Sequence, residues 1–185
     1  MKIQEVNPVA QDLLHAVAGY EGGFEGAYNI RQDSGCAGRR STEHIRIESK
    51  PGGKPGLEIH VAPGTRDEKV FIPAVVTQSN LNDVAYNDFY IGAGARVTIV
   101  AGCGVHTTDS GESRHDGIHR FYLASGSEVL YEEKHLGTGG GGGLRRINPV
   151  TECFLEEDAF LTMETSQLGG VSYSDRKTTA NLKAR

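Results

Sequence analysis

Three segments of this chain align with one another without a gap, and that regularity restricts the fold more than any other feature. They are residues 89–99, 121–131 and 153–163. Ile91, Leu123 and Leu155 follow one another at a constant offset (123 − 91 and 155 − 123 are both 32). Val97, Val129 and Leu161 keep that offset, as do Ile99, Tyr131 and Met163. A weaker copy, beginning at Val61, precedes the first at a slightly shorter offset (91 − 61 is 30). Within each unit apolar and polar positions alternate, as in a strand with one face turned inward. Short turns interrupt the alternation at Gly92-Ala93-Gly94, Ala124-Ser125-Gly126 and Glu156-Glu157-Asp158. A period of this length, built of strands alone, predicts a stacked β-solenoid. Equivalent residues of successive coils then lie one above another, roughly 4.8 Å apart. A jelly roll or cupin barrel also has many short strands, but gives no reason for a gapless register.

The rest of the chain fits an all-β architecture with one short helix. Glycine accounts for 25 of 185 residues, about twice its average usage of ~7%. No three-residue period points to collagen. Residues 1–20 are expected to form an N-terminal capping segment, and residues 21–185 the β-helix core. In the first, Asn7 suits an N-cap, Pro8 the first helical position and Gly19 the stop. Val9, Leu13, Leu14 and Val17 share one helical face. The expected role is a lid over the open end of the solenoid. Residues 180–185 read as the opening of a further repeat. That leaves the far end for a partner or a second copy to cover, unless the sequence is itself a piece of a longer one.

Composition narrows the function. The net charge is −5, from 19 basic and 24 acidic residues, so there is no cationic excess to displace counterions from nucleic acid. No segment approaches the roughly 20 apolar residues of a membrane span, and the first residues lack the apolar stretch of a secretion signal. Three widely spaced cysteines, Cys36, Cys103 and Cys153, make no disulfide framework. They fit the reducing cytoplasm.

Chemistry concentrates in the middle of the chain. Four of the seven histidines, His106, His115, His119 and His135, fall in one stretch, with Cys103 just ahead of them. Cys103 and His135 stand at the repeat offset from each other (135 − 103 is 32), so the repeat predicts them as neighbours on adjacent coils. Thiolate and imidazole together suit zinc, iron or an iron–sulfur cluster. His106, His115 and His119 are further candidate metal ligands, expected along the solenoid surface. No nucleophile elbow accompanies His115-Asp116. The glycine run 139–143 lacks the Lys-Ser/Thr of a phosphate loop and reads as a mobile connection.

Residues 91–103, followed by Ser113-Arg114-His115 and then Glu128-Val129-Leu130-Tyr131, resemble the core of the SufB/SufD family. Residues 26–31 and Arg40-Ser41-Thr42 resemble the entry segment of its short members. The resemblance covers most of the chain from about residue 26 and implies a right-handed parallel β-helix. It implies a role in iron–sulfur cluster assembly, in which a nascent, transient cluster is held by Cys, Glu and His side chains near a subunit interface. Cys103 and His135 are the candidate cluster ligands. The implied partners are a SufC-like ABC-type ATPase or another SufB/SufD-family subunit, with a homodimer as a further expectation. Family members reach the ATPase through a helical domain after the β-helix, and this chain ends before one, as a short member would.

The reading is therefore a cytoplasmic scaffold or accessory protein rather than an enzyme. Two alternatives stand beside it. One is a metal-dependent enzyme of cupin type that gathers His106, His115, His119 and His135 on one ion. The other is a purely structural β-solenoid interaction module.

Overall fold

The computed structural model describes residues 5–183, and these form a parallel β-helix of about four coils with one helix packed on its side. Helix α1 (Pro8–Ala18) is followed by β1 (Ala27–Gln32), β2 (Gly35–Arg40) and β3 (Ile45–Ser49). Then come β4 (Gly56–Val61), β5 (Arg66–Phe71), β6 (Ala74–Val76), β7 (Asn82–Ile91) and β8 (Arg96–His106). The remaining strands are β9 (Glu112–Leu123), β10 (Glu128–Thr138), β11 (Leu144–Ile147), β12 (Val150–Leu155), β13 (Phe160–Gly169) and β14 (Lys177–Leu182).

The strands stack into two facing sheets. One has the order β13-β10-β8-β5-β1-β2, with β6 beside β1 and β8; the other has β14-β12-β9-β7-β4-β3, with β11 beside β9. The repeat is the pairing register itself. Val97 pairs with Val129 and Val129 with Leu161, while Ile91 pairs with Leu123 and Leu123 with Leu155. The weaker copy joins the same stack, with Val61 opposite Ile91. Its offset shortens within β5, where the register shifts between Arg66 and Glu68 and Asp67 adopts a φ of 57°. That is the extra residue of a β-bulge.

The turns stack as well. Gly64, Gly94, Gly126 and Asp158 hold equivalent corners, with φ of 72°, 65°, 66° and 55°. Three corners have the glycine that a left-handed backbone favours, and the last has Asp, one of the few other residues that tolerate it. The amides of Gly64, Gly94 and Gly126 each donate to the carbonyl of the next turn at 3.0 Å. Outside the second sheet, His60, Tyr90, Tyr122 and Phe154 form a column of parallel rings with centroids 4.8, 5.0 and 5.1 Å apart. This is the coil spacing expressed in side chains.

The first coil opens with antiparallel pairs, β1 with β2 and β3 with β4. The β1–β2 hairpin turns through Asp33 and Ser34, both with positive φ, as the twist of a two-residue hairpin demands.

Helix α1 begins and ends as its sequence predicts. The Asn7 side chain caps the Ala10 amide at 2.8 Å, and Gly19 closes the helix in the left-handed conformation. Its position differs from the expected lid over an open end. It lies across the outer face of the first sheet, where Ala10, Leu13, Leu14 and Val17 cluster with Ile30, Ala37 and Val75. The reason lies in β8. Its outward row runs Val100, Gly102, Gly104, and the two glycines leave a trough for the helix. A methyl added at Gly102 would lie 2.6 Å from both Cβ and the carbonyl oxygen of Val17; one at Gly104 would lie 3.0 Å from Leu13 Cβ. Residues 1–4, part of the expected N-terminal segment, lie outside the described residues, as do residues 184 and 185.

Glycine to alanine in a strand is ordinarily favourable, but here the clash with helix backbone dominates. Gly102→Ala is expected to cost about 1–3 kcal/mol, the usual range for overpacking. Urea unfolding followed by circular dichroism measures it, and an unchanged midpoint would show that the helix does not depend on this contact.

Candidate functional site

Because the repeat length is even, stacking preserves the parity of inward-facing positions. On β7 to β10 the odd-numbered residues point into the lumen. They begin with an apolar half, in which Phe89, Phe121, Ile99 and Tyr131 are fully buried. Further along the same strands the inward row turns polar: Asp83 and Asn87 on β7, Cys103 on β8, His115 and His119 on β9, Glu133 and His135 on β10. All seven are buried.

Five of these groups, Asp83, His115, Cys103, His135 and Glu133, form a line of alternating acidic and basic side chains across the interior. Arg31 of β1 grips Asp83 with Nε at 2.9 Å and Nη2 at 2.6 Å, and Ser34 Oγ donates to the same carboxylate at 2.7 Å. His115 Nδ1 lies 2.9 Å from Asp83 on the other side. Cys103 sits between His115 and His135, which both act on its thiol. His135 Nε2 is 3.4 Å from Glu133 Oε2. Glu133 then accepts from Tyr131 Oη at 3.0 Å and, through a short contact, from Arg176 in the segment between β13 and β14.

Electrostatics follow from that order. Burial alone would push the Cys103 thiol up, but the two imidazoles bring it down to about 7. Burial opposes the charged imidazoles, yet the Cys103 and Asp83 charges raise His115 to about 10. Hydrogen bonding to Cys103 and Glu133 raises His135 to about 9. Burial would likewise raise Asp83 and Glu133, but their cationic neighbours hold both carboxyls well below the usual range. His119 is different. It lies among Phe89 and Tyr131, and burial takes it down to about 4.

The arrangement offers a mixed donor set. The Cys103 thiol, one Glu133 oxygen and one His135 nitrogen all lie within 4.8 Å of one another. Thiolate, carboxylate and imidazole are together suited to iron or zinc. The buried His135 Nε2 also lacks a well-formed hydrogen bond, while Nδ1 is engaged by Gln167 Nε2 at 3.0 Å. A cation at this point would compete with Arg176 for Glu133 and displace the proton of His135.

The structure thus brings Cys103 and His135 together as the register predicts. The expectation that His106, His115 and His119 lie along the solenoid surface is corrected for His115 and His119, because odd positions of these strands face inward. His106 has the opposite parity. It lies outside the lumen, near α1, with Nδ1 2.9 Å from Thr138 Oγ1, and takes no part in the cluster. Glu133, Asp83, Arg31 and Arg176 escaped the sequence reading. Parity relative to Cys103 would have placed Glu133 and Asp83 inside; nothing local marks Arg31 or Arg176. The other cysteines lie elsewhere: Cys153 is buried in the apolar half, and Cys36 donates to Asn29 Oδ1 on β1. The glycine run 139–143 is a loop between β10 and β11, its backbone against residues 107–109. No helix among the described residues is long and apolar enough to cross a membrane.

The pH dependence of stability has a definite sign. His119, at about 4 in the folded chain, refuses a proton that the unfolded chain takes up below its ordinary 6.5. Stability therefore falls as the pH drops through that window. Asp83 and Glu133, held down in the folded state, extend the loss to lower pH. His119→Gln is expected to flatten the dependence of melting temperature between these two pH values and leave the more acidic loss in place. An unaltered slope would place the titrating group elsewhere.

Comparison with protein-family models, with curated proteins and with solved structures finds no match in any of the three.

Proposed function

We propose that this chain is a scaffold or accessory protein of iron–sulfur cluster assembly, similar in kind to the SufB/SufD family, with Cys103, Glu133 and His135 as the ligands of a transient cluster or its iron. The observation that carries the reading is the convergence of these three buried donors from two adjacent strands. Two features agree with the resemblance, and the first is independent of that convergence. The parallel β-helix is the fold that the resemblance implies, and thiolate, carboxylate and imidazole are the ligand types it implies. The cluster is cargo in this reading, so the chain needs no turnover reaction of its own. A cytoplasmic setting fits three cysteines without a disulfide. The proposed partners are a SufC-like ATPase, another SufB/SufD-type subunit or a second copy of the chain.

The cupin-type alternative required a barrel that gathers four histidines on one ion. The parallel solenoid is a different fold, and His106 lies outside its lumen. The interaction-module alternative leaves the lumen without a ligand, and the same experiment decides it.

Anaerobic reconstitution with iron and sulfide, followed by visible absorption and iron and sulfide analysis, tests the proposal. The expected result is a chromophore with matched iron and sulfide that is lost in Cys103→Ser, Glu133→Gln and His135→Ala and retained in Cys153→Ser. Gln167→Ala removes the side-chain amide that, with its oxygen turned to accept from His135 Nδ1–H, orients the ring for iron at Nε2, and is expected to weaken iron binding about 10–100-fold. A chromophore indifferent to Cys103→Ser, or none at all, would overturn the assignment.

A further inference from the structure

A second polar feature lies on the other side of Cys103. A cavity of about 340 Å³ opens between the β1–β2 hairpin and the 50–56 segment and reaches the floor formed by Asn87, Cys103 and His115. Ser49, Gly53, Lys54 and Pro55 at its rim are exposed, whereas Asn87 and Cys103 at its floor are buried. The cavity is therefore an entrance from solvent. Its volume is that of a small-molecule site at the lower end of the range.

The charge of its wall is one-sided. Arg31, Arg39, Lys50 and Lys54 line it, and no Asp or Glu does, in a chain whose net charge is −5. Arg31 and Lys50 are neutralised from behind by Asp83 and Asp88. Arg39 and Lys54 are not. Arg39 donates to Asn29 Oδ1 at 2.8 Å and Ser49 Oγ at 3.0 Å, and Lys54 lies over the Tyr86 ring at 3.8 Å. Among the described residues neither is in an ion pair with a carboxylate. These two cations come from different walls, one on β2 and the other on the segment before β4.

Asn87 supplies an independent sign of a ligand. It is 7% exposed, and its Oδ1 has no hydrogen-bond partner. Its amide nitrogen has only a long contact, 3.5 Å, to His119 Nδ1. A buried carbonyl oxygen without a donor is costly. The cavity wall is thus cationic at the mouth and requires a donor at the floor.

We propose that this cavity binds a small organic anion whose carboxylates meet Arg39 and Lys54 and whose hydroxyl or amino group donates to Asn87. The ligand is placed beside Cys103 on the face away from Glu133 and Arg176. The site needs no metal, so it stands or falls separately from the cluster reading.

Calorimetric titration of the metal-free protein tests it, with L-malate as the probe, succinate as the analogue without the hydroxyl, and inorganic phosphate as a competing anion. L-Malate is expected to bind, and more tightly than succinate. The double variant Arg39→Gln, Lys54→Gln is expected to weaken malate about tenfold or more, the loss of a charge-assisted hydrogen bond. Asn87→Ala is expected to remove the difference between malate and succinate. Lys54 is exposed, so Lys54→Glu reads the same dependence even if Arg39→Gln disturbs folding. No binding of either acid, or affinities unmoved by Lys54→Glu, overturns the site. Phosphate binding as tightly as malate, with no effect of Asn87→Ala, overturns the hydroxy-acid assignment.

Discussion

In-register parallel hydrogen bonding between coils is the constraint on which the rest depends. Each strand lies on its equivalent one coil away, and the same offset holds along the full length of β8 against β10 and β7 against β9. Every side chain therefore has a neighbour of the same orientation above or below. Apolar rows make the core, ring makes contact with ring outside, and Arg120 meets Glu152 at 2.7 Å as Arg96 meets Glu128 at 2.8 Å. A slip of a single residue would turn the inward rows outward.

That constraint has a cost where the inward row is polar. Asp83, Glu133, His115, His135 and Cys103 are all removed from water, and isolated buried charges are heavily penalised. The structure offsets the penalty by order rather than by solvent. Signs alternate from Arg31 to Arg176, and neutral donors such as Ser34 and Tyr131 take up remaining oxygen atoms. Such a line is held by its partners, so removing one member leaves an uncompensated charge. The two ends differ. Arg31 closes the line beside the cationic cavity, and Arg176 closes it from the last coil. Cys103, at the middle, is the one group with a place in both the donor cluster and the cavity wall.

Much of this was legible beforehand, for specific reasons. The gapless spacing of Ile91, Leu123 and Leu155 encodes coil length directly, because repeated side-chain patterns exist only where pairing repeats. The same arithmetic paired Cys103 with His135. Asn7, Pro8 and Gly19 marked the helix because its unsatisfied end groups require such residues. The lid position was wrong because a trough made by Gly102 and Gly104 is a property of the assembled sheet. The antiparallel opening of the first coil was also missed, since β1 and β2 carry no copy of the repeat. His115 and His119 were expected on the surface because histidine alone does not declare its face; the parity of its strand does.

The sequence by itself determined the period, the all-β class, the helix ends and the adjacency of Cys103 and His135, since each depends on residues at fixed separations along the chain. Strand parity already puts Glu133 and Asp83 on their side of the sheet and His106 on the other; only the tertiary structure decided that Arg31 and Arg176 close the line. Arg31 lies 52 residues from Asp83, and Arg176 lies 43 from Glu133. Neither distance is a multiple of the repeat, so no rule of spacing brings those charges together. They meet because a carboxylate taken out of water, as Asp83 and Glu133 are, is stable only against a cation that reaches it.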